Sequence, residues 1–289
     1  MSNWALALHG GAGPLRNASY SREETHLAEL LRQGGQALAR GEAGLEVAVR
    51  LVAALEACGH HIAGKGAAAN SQGEYELDAA LMDGSTRKAG AVAGLRGFVS
   101  PIEVARAVME HTPHVLLIGG GAEAFAAEQG CARVEDPASY YQPIITRPVI
   151  PGELAHGTVG AVVRDSFGHL AVATSTGGLL NKMPGRVGDT PIIGAGLWAD
   201  RRVAVCCTGQ GELFLRANVA ADVSARMAYG GQSVHAAAAG ALADMAALGG
   251  DGGLIAVDAA GEITMPFVSQ GMKRGCITQS GRFEVKTVR

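Results

Sequence analysis

Between Tyr140 and Gly157 the amino-acid sequence neither alternates like a strand nor repeats at helical spacing, and Pro143, Pro148, Pro151 and Gly152 punctuate it. Proline fixes φ and removes a backbone donor, so such a stretch breaks regular structure. Residues 140–157 are therefore expected to form an exposed linker, which divides the chain into two halves. With 289 residues, 48% of them apolar, the halves can bury a large common core. The 42 glycines follow no collagen-like period, which points to turns and close backbone approaches.

Before the linker, apolar alternation over Trp4 to Leu8 predicts a strand, followed by the turn His9-Gly10-Gly11-Ala12-Gly13. Ser21 and Glu24 have capping-box spacing and open a helix. A second helix is predicted over 44–57. Strands are predicted over 76–82, 88–98 and 115–118, with a helix from Pro101 to Glu110 whose N-cap is Ser100. After the linker, strands over 158–164 and 169–176 flank Asp165-Ser166-Phe167-Gly168, the pattern of a hairpin. A strand over 203–207, helices over 212–228 and 233–248, and strands over 254–257 and 262–265 complete the second half. Helices grouped between hairpin strands predict an α+β arrangement rather than a βαβ parallel sheet.

A net charge of −3 and the absence of any Lys/Arg block argue against a nucleic-acid footprint. No apolar run is long enough to span a bilayer. The start of the sequence shows no leader pattern, and five cysteines are an odd number without disulfide or zinc spacing. A cytoplasmic location is expected.

Several motifs carry little chemistry. Gly59 to Gly66 approaches a phosphate-binding loop, but Gly66 replaces the hydroxyl residue that holds magnesium, and the preceding segment has helical rather than strand spacing. The strand and three glycines of 115–126 lack full dinucleotide-turn spacing. His60-His61 and His111 to His114 have no Cys or carboxylate at ligand spacing and are expected to be solvated. Asp78 and Asp83 fall on opposite faces of their strand, which favours structural hydrogen bonding over a paired acid/base role.

Gly157-Thr158-Val159-Gly160 is different, because a hydroxyl residue opens a strand directly after a Gly-ended linker. A Thr hydroxyl is a poor nucleophile at neutral pH. Were the Gly157–Thr158 bond cut, Thr158 would gain an α-amine with an ordinary pKa of roughly 7.7 to 8.0, able to act as its own general base. Thr174-Ser175-Thr176-Gly177-Gly178, then Gly185-Arg186-Val187-Gly188-Asp189, then Thr208-Gly209-Gln210-Gly211-Glu212 follow in order. Each motif alone also suits a strand end, a loop ion pair or a turn.

In that order, and with His9 to Gly13 and Glu76-Leu77-Asp78-Ala79 in the first half, the chain resembles the plant-type asparaginase and isoaspartyl peptidase family of N-terminal-nucleophile hydrolases over nearly its whole length. Glycosylasparaginases share part of the pattern, but Leu179 to Pro184 is more similar to the plant-type branch. The resemblance implies a four-layer αββα fold, cleaved into an α subunit of residues 1–157 and a β subunit of residues 158–289, with two αβ units forming a heterotetramer. It implies Thr158 as nucleophile and Thr176 as the threonine that hydrogen-bonds near its hydroxyl, with Thr208 and Gly209 at the oxyanion hole. Arg186 and Asp189 would hold the substrate's α-carboxylate and α-ammonium, and Gly211 would bind it through the backbone. A guanidinium fork matches a carboxylate, and an acidic side chain matches a cation. The expected substrates are isoaspartyl dipeptides and L-asparagine. No catalytic metal or organic cofactor is expected, whereas a structural sodium ion is expected in the loop spanning roughly 55–66.

The family loop commonly reads Asn-Ala-Gly-x-Gly, and here Ile62 occupies the Asn position. An aliphatic side chain neither donates nor accepts a hydrogen bond. Ile62 therefore raises an alternative in which the chain stays uncleaved and only binds an amino acid. Phe267-Val268-Ser269 also departs from the family's more polar Phe-Asn-Thr.

Overall fold

The computed structural model describes residues 3–13, 19–144 and 157–288. Most of the expected linker, residues 145–156, lies outside the described residues. Its described residues are mixed in exposure: Gln142 and Ile144 are exposed, Tyr140 and Pro143 are half-buried, Tyr141 is buried and stacks on Tyr75 at 3.8 Å, and Gly157 is buried.

The first half contains β1 (Ala5–Ala12), α1 (Ser21–Ala39), α2 (Gly44–Ala57), a 3-10 turn (Gly64–Gly66), β2 (Leu77–Asp83), β3 (Ala89–Leu95), α3 (Pro101–His111), β4 (Leu116–Ile118), α4 (Gly119–Glu128) and α5 (Pro137–Tyr140). The second contains β5 (Val159–Arg164), β6 (Leu170–Thr176), β7 (Leu197–Ala199), β8 (Val203–Gly209), α6 (Gly211–Ala217), α7 (Val219–Gly230), α8 (Val234–Ala247), β9 (Gly252–Asp258), β10 (Ile263–Thr264), β11 (Met272–Thr278) and β12 (Phe283–Lys286).

Among the described residues the strands form an eight-stranded sheet, β12-β11-β1-β5-β6-β2-β3-β4, and a four-stranded sheet, β10-β9-β8-β7. Pairing is antiparallel except between β3 and β4. One core joins the larger sheet to α1, α2 and α3, where Leu27, Leu31, Val47, Leu51, Val52 and Leu55 meet Leu6, Leu81 and Val163. A second lies between the sheets, with Val162 and Val172 facing Cys206 and Ile255. A third joins the smaller sheet to α7 and α8. Each fully buried Leu or Val contributes roughly 1.5–3 kcal/mol of transfer free energy.

Elements α5, β7, β11 and β12, and the full extent of α4, were not expected from the sequence, and three helix details also differ from expectation. The first helix opens on Tyr20, whose carbonyl accepts from Glu24 N–H, and no side chain caps it, so the Ser21–Glu24 capping box is not formed. The helix expected over 212–228 is broken at Asn218, which adopts left-handed φ 49° and ψ 45° and separates α6 from α7. At α3, Ser100 holds the N-cap position but donates its hydroxyl to Glu56 (2.5 Å), and the Glu56 carboxylate accepts Ile102 N–H (3.0 Å). Burial lifts the Glu56 carboxyl to about 7, against the pull of these hydrogen bonds. Among the described residues no helix is long and apolar enough to cross a membrane.

Candidate active site

The site begins with strand register. Val159 pairs with Ser175, so Thr158, one residue earlier, comes opposite Thr176. The Thr158 hydroxyl donates to Thr176 Oγ1 at 3.2 Å, and Thr176 Oγ1 also accepts Gly178 N–H at 3.1 Å. Both threonines are buried. Two residues on, Gly160 lies against the His9 ring and Cys206 Sγ, where any Cβ would overlap both. The His9 Nε2 to Cys206 Sγ separation is 3.1 Å, and burial lowers the His9 pKa to about 3. The two outer glycines of the Gly-Thr-Val-Gly run are therefore both tightly packed positions, since Gly157 meets Ile62 in the same way.

A loop from the end of β6 brings in the charged groups. Glu76 pins that loop: its Oε1 accepts Gly185 N–H (2.9 Å), its Oε2 accepts from Asn70 Nδ2 (3.1 Å), and its carbonyl accepts from buried Lys182 Nζ (2.6 Å). Asp78, next in the Glu-Leu-Asp-Ala motif, accepts Gly94 N–H (2.8 Å) and is buried. Asp83 instead closes the turn after β2, accepting from Ser85 N–H and Thr86 Oγ1. The two aspartates thus make structural hydrogen bonds, as expected.

Arg186 does not bridge to Asp189. Its Nε and Nη2 donate to the two carboxylate oxygens of Glu212 at 2.8 and 2.9 Å, a bidentate pair that fixes the guanidinium plane. Asp189 is 3% exposed, and its Oδ2 has no hydrogen-bond partner among the described residues. Burial lifts its carboxyl to about 7, with Arg186 pulling the other way. Such an oxygen is ready for a cationic donor supplied from outside. Gly211 touches both groups: a Cβ there would stand 2.9 Å from Asp189 Oδ1 and 3.0 Å from Arg186 Nη2.

Gly157, Thr158, Thr176, Arg186, Asp189 and Gly209 line one small cleft. Thr208 stands behind it, where its buried hydroxyl accepts Ala12 N–H at 3.2 Å and retains its own proton for donation. Gly209 is packed so closely that a Cβ would lie 2.6 Å from Phe214 Cε2. The structure thus gathers all eight residues singled out from the sequence into the cleft and its immediate wall. Sequence reasoning missed Glu212 and Glu76 as supports, although both sit inside motifs already quoted.

Ile62 reaches the same place from the first half. It is 2% exposed, its carbonyl accepts Gly177 N–H (2.7 Å), and its side chain fills the space a Cβ on Gly157 would need. His61 is not solvated as expected: it is fully buried, with Nδ1 3.1 Å from Gly10 O. His111 and His114 are exposed. The Gly59–Gly66 segment follows helix α2 and contains the 3-10 turn, which removes the phosphate-loop reading. The carbonyls of Ile62, Ala63 and Gly64 each accept one backbone hydrogen bond, which leaves each a second lone pair. That neutral oxygen set suits a hard cation such as sodium.

The family model described as Asparaginase matches residues 2–147 and 139–287. The chain belongs to this family, in its plant-type asparaginase and isoaspartyl peptidase branch. It is similar to the isoaspartyl peptidase of Salmonella typhimurium, 46% identical across 95% of this chain and 95% of that protein. The isoaspartyl peptidase of Escherichia coli is 43% identical across 95% of this chain and 92% of its own length. A probable isoaspartyl peptidase/L-asparaginase 2 of Arabidopsis thaliana is 37% identical across 99% of both chains. These relatives carry enzyme names, and the binding-only alternative draws no support from them.

Proposed function

We propose that this chain is an isoaspartyl peptidase and L-asparaginase that cleaves itself at Gly157–Thr158 and works through Thr158. The carrying observation is the Thr158–Thr176 hydroxyl contact at 3.2 Å in a cleft that also holds Arg186 and the unpartnered carboxylate oxygen of Asp189. The two facing sheets between helices favour the four-layer αββα fold of N-terminal-nucleophile hydrolases. Cleavage would give an α subunit of residues 1–157 and a β subunit of residues 158–289, pairing as a dimer of αβ units.

Self-cleavage begins when Thr158 Oγ1 attacks the Gly157 carbonyl carbon. The hydroxyl proton passes to the Thr158 nitrogen as the peptide C–N bond breaks to give a Gly157 ester, and water hydrolyses that ester to free the Gly157 carboxylate and the Thr158 hydroxyl. The freed α-amine then serves as general base. In turnover it takes the Thr158 hydroxyl proton as Oγ1 attacks the β-carbonyl of an aspartyl substrate. The proton passes to the departing amine or ammonia as the C–N bond breaks, leaving a β-aspartyl ester on Thr158. Water attacks the ester, and aspartate leaves with Thr158 Oγ1 reprotonated. The Thr208 hydroxyl and the Gly209 N–H stabilise the oxyanion formed in each addition. Arg186 holds the α-carboxylate and Asp189 the α-ammonium, while Gly211 binds the substrate through its backbone. A sodium ion on the carbonyls of the 55–66 loop would brace that loop, and no step requires a metal or organic cofactor.

The test is hydrolysis of β-aspartyl-leucine by the purified, processed protein, followed as release of leucine and aspartate. Release well above that of Thr158→Ala supports the reading. Equal rates for the two proteins would overturn it.

A further inference from the structure

A second cluster of chemically reactive groups includes His61, the residue that precedes Ile62. His26 of α1, Cys58 at the end of α2, and His61 present one ring nitrogen or sulfur each, and these three atoms lie within 4.8 Å of one another. Two imidazoles and a thiol form a borderline-soft donor set, unlike the carbonyl oxygens that suit sodium.

His61 is built to present a lone pair. Its ring fills the space over Gly10, where a Cβ would lie 2.6 Å from Nδ1, and its carbonyl packs against Gly66. The Nδ1–H donates to Gly10 O at 3.1 Å. That hydrogen bond leaves the lone pair on Nε2, which is buried and has no partner among the described residues. A backbone carbonyl that holds one imidazole nitrogen protonated is the usual outer support of a metal-bound histidine. Burial, the nearby Lys273 and the neighbouring histidines keep His61 well below the ordinary histidine range and so neutral.

His26 Nδ1 is also buried without a hydrogen-bond partner among the described residues. Its ring stacks on His61 at 6.3 Å and meets His60 edge-on at 5.7 Å. Cys58 Sγ lies 3.2 Å from Leu55 O and accepts His60 N–H at 3.3 Å. It is free and half-buried. Burial raises its thiol pKa, so a metal would have to displace the proton, as thiolate ligation does.

Tetrahedral zinc separates its nitrogen and sulfur ligands by about 3.3–3.6 Å. Closing the present spacing takes about 1 Å of side-chain movement, and neither His26 nor Cys58 is locked in the core. Lys273, 3.9 Å from Glu23, places a positive charge nearby. The Cys58 thiolate formed on binding offsets it.

We infer that His26, Cys58 and His61 form a zinc-type divalent metal site, with a fourth position left to solvent. A bound ion ties α1 to the loop whose next residue, Ile62, covers Gly157. The site is chemically separate from the threonine cleft and from a carbonyl-bound sodium ion.

The test uses the full chain, stripped with a chelator, desalted into sodium chloride buffer and titrated with cobalt(II) and then zinc. The expected result is one cobalt per chain, with visible bands of tetrahedral coordination and a near-ultraviolet thiolate charge-transfer band, all displaced by one zinc. Cys58→Ser should abolish the charge-transfer band, and His26→Ala should weaken zinc binding by about a hundredfold or more. Circular dichroism checks that each variant folds, and His26→Ala carries the test should Cys58→Ser not fold. Substoichiometric binding, weak octahedral-type absorption, or unchanged affinity in a folded variant would overturn the site.

Discussion

Ile62 covers Gly157: the Ile62 side chain occupies the space that a Cβ on Gly157 would need, one residue before the proposed nucleophile. The position where the family commonly carries an amide is thus in direct contact with the proposed scissile bond, and here that contact is purely apolar.

Replacing Ile62 with Asn should therefore restore a polar group beside Thr158. One oxyanion-type donor commonly contributes about a hundredfold to a thousandfold. We expect Ile62→Asn to raise the rate of self-cleavage, of dipeptide hydrolysis, or of both, by about tenfold or more. A buried amide that finds no partner costs about 1–3 kcal/mol, so the melting temperature should fall. Processing followed on gels, and turnover measured on fully processed protein, separate the two steps. Unchanged rates in both would make Ile62 a packing substitution only.

Arg186 is held by Glu212 through two hydrogen bonds of 2.8 and 2.9 Å, but the Glu212 side chain is 52% exposed. Exposed ion pairs contribute about 0–1 kcal/mol to folding. Arg186→Ala should leave the melting temperature within about 4 °C of the parent, while kcat/KM for a substrate with a free α-carboxylate falls at least about tenfold. Glu212→Gln should raise KM more than it lowers kcat, because it loosens the guanidinium without removing it. Equal turnover by Arg186→Ala and the parent removes Arg186 from the site.

Asp189 sets a pH dependence. Its carboxyl ionises at about 7 rather than in the usual range, because it is buried. Only the ionised form attracts a substrate ammonium, so kcat/KM should fall as pH drops through about 7. The Thr158 amine must also be neutral, with an ordinary pKa of roughly 7.7 to 8.0, and adds to the same acid limb. In Asp189→Asn the overall rate should be lower and the limb should depend on the amine alone. Stability runs the opposite way. The folded state holds the Asp189 proton between pH 3.8 and about 7 while the unfolded state does not, so this residue's contribution to stability falls as pH rises through that window. An acid limb identical in the parent and Asp189→Asn would exclude this role.

Much of this arrangement is legible in the sequence where local chemistry and tertiary demand agree. Helix α2 runs from Gly44 to Ala57 as its apolar spacing predicts, and the β5–β6 hairpin follows its Gly-containing turn. Strand β11 was missed because Lys273 and Arg274 interrupt its apolar run. Both are nonetheless buried: Arg274 donates to the Met272 carbonyl and stacks over Phe267, and Lys273 lies over Tyr20 near Glu23. The Lys273 partners come from a segment about 250 positions away, so no local pattern announces its burial. The site residues were found through the order of their motifs. Asp189 and Arg186 have different partners from those a loop ion pair would suggest, because Glu212 arrives from the next helix. The burial of His61 depends on Gly10, 51 positions away, and was equally invisible.

The central proposal, that Thr158 becomes an N-terminal nucleophile by intramolecular cleavage, is tested most directly by intact-mass analysis of the purified parent and Thr158→Ala after identical protease-free incubation. The parent should resolve into two polypeptides, the smaller beginning at Thr158, while Thr158→Ala remains a single full-length chain. A parent that stays whole yet hydrolyses isoaspartyl dipeptides, or cleavage of Thr158→Ala at the same bond, would contradict it.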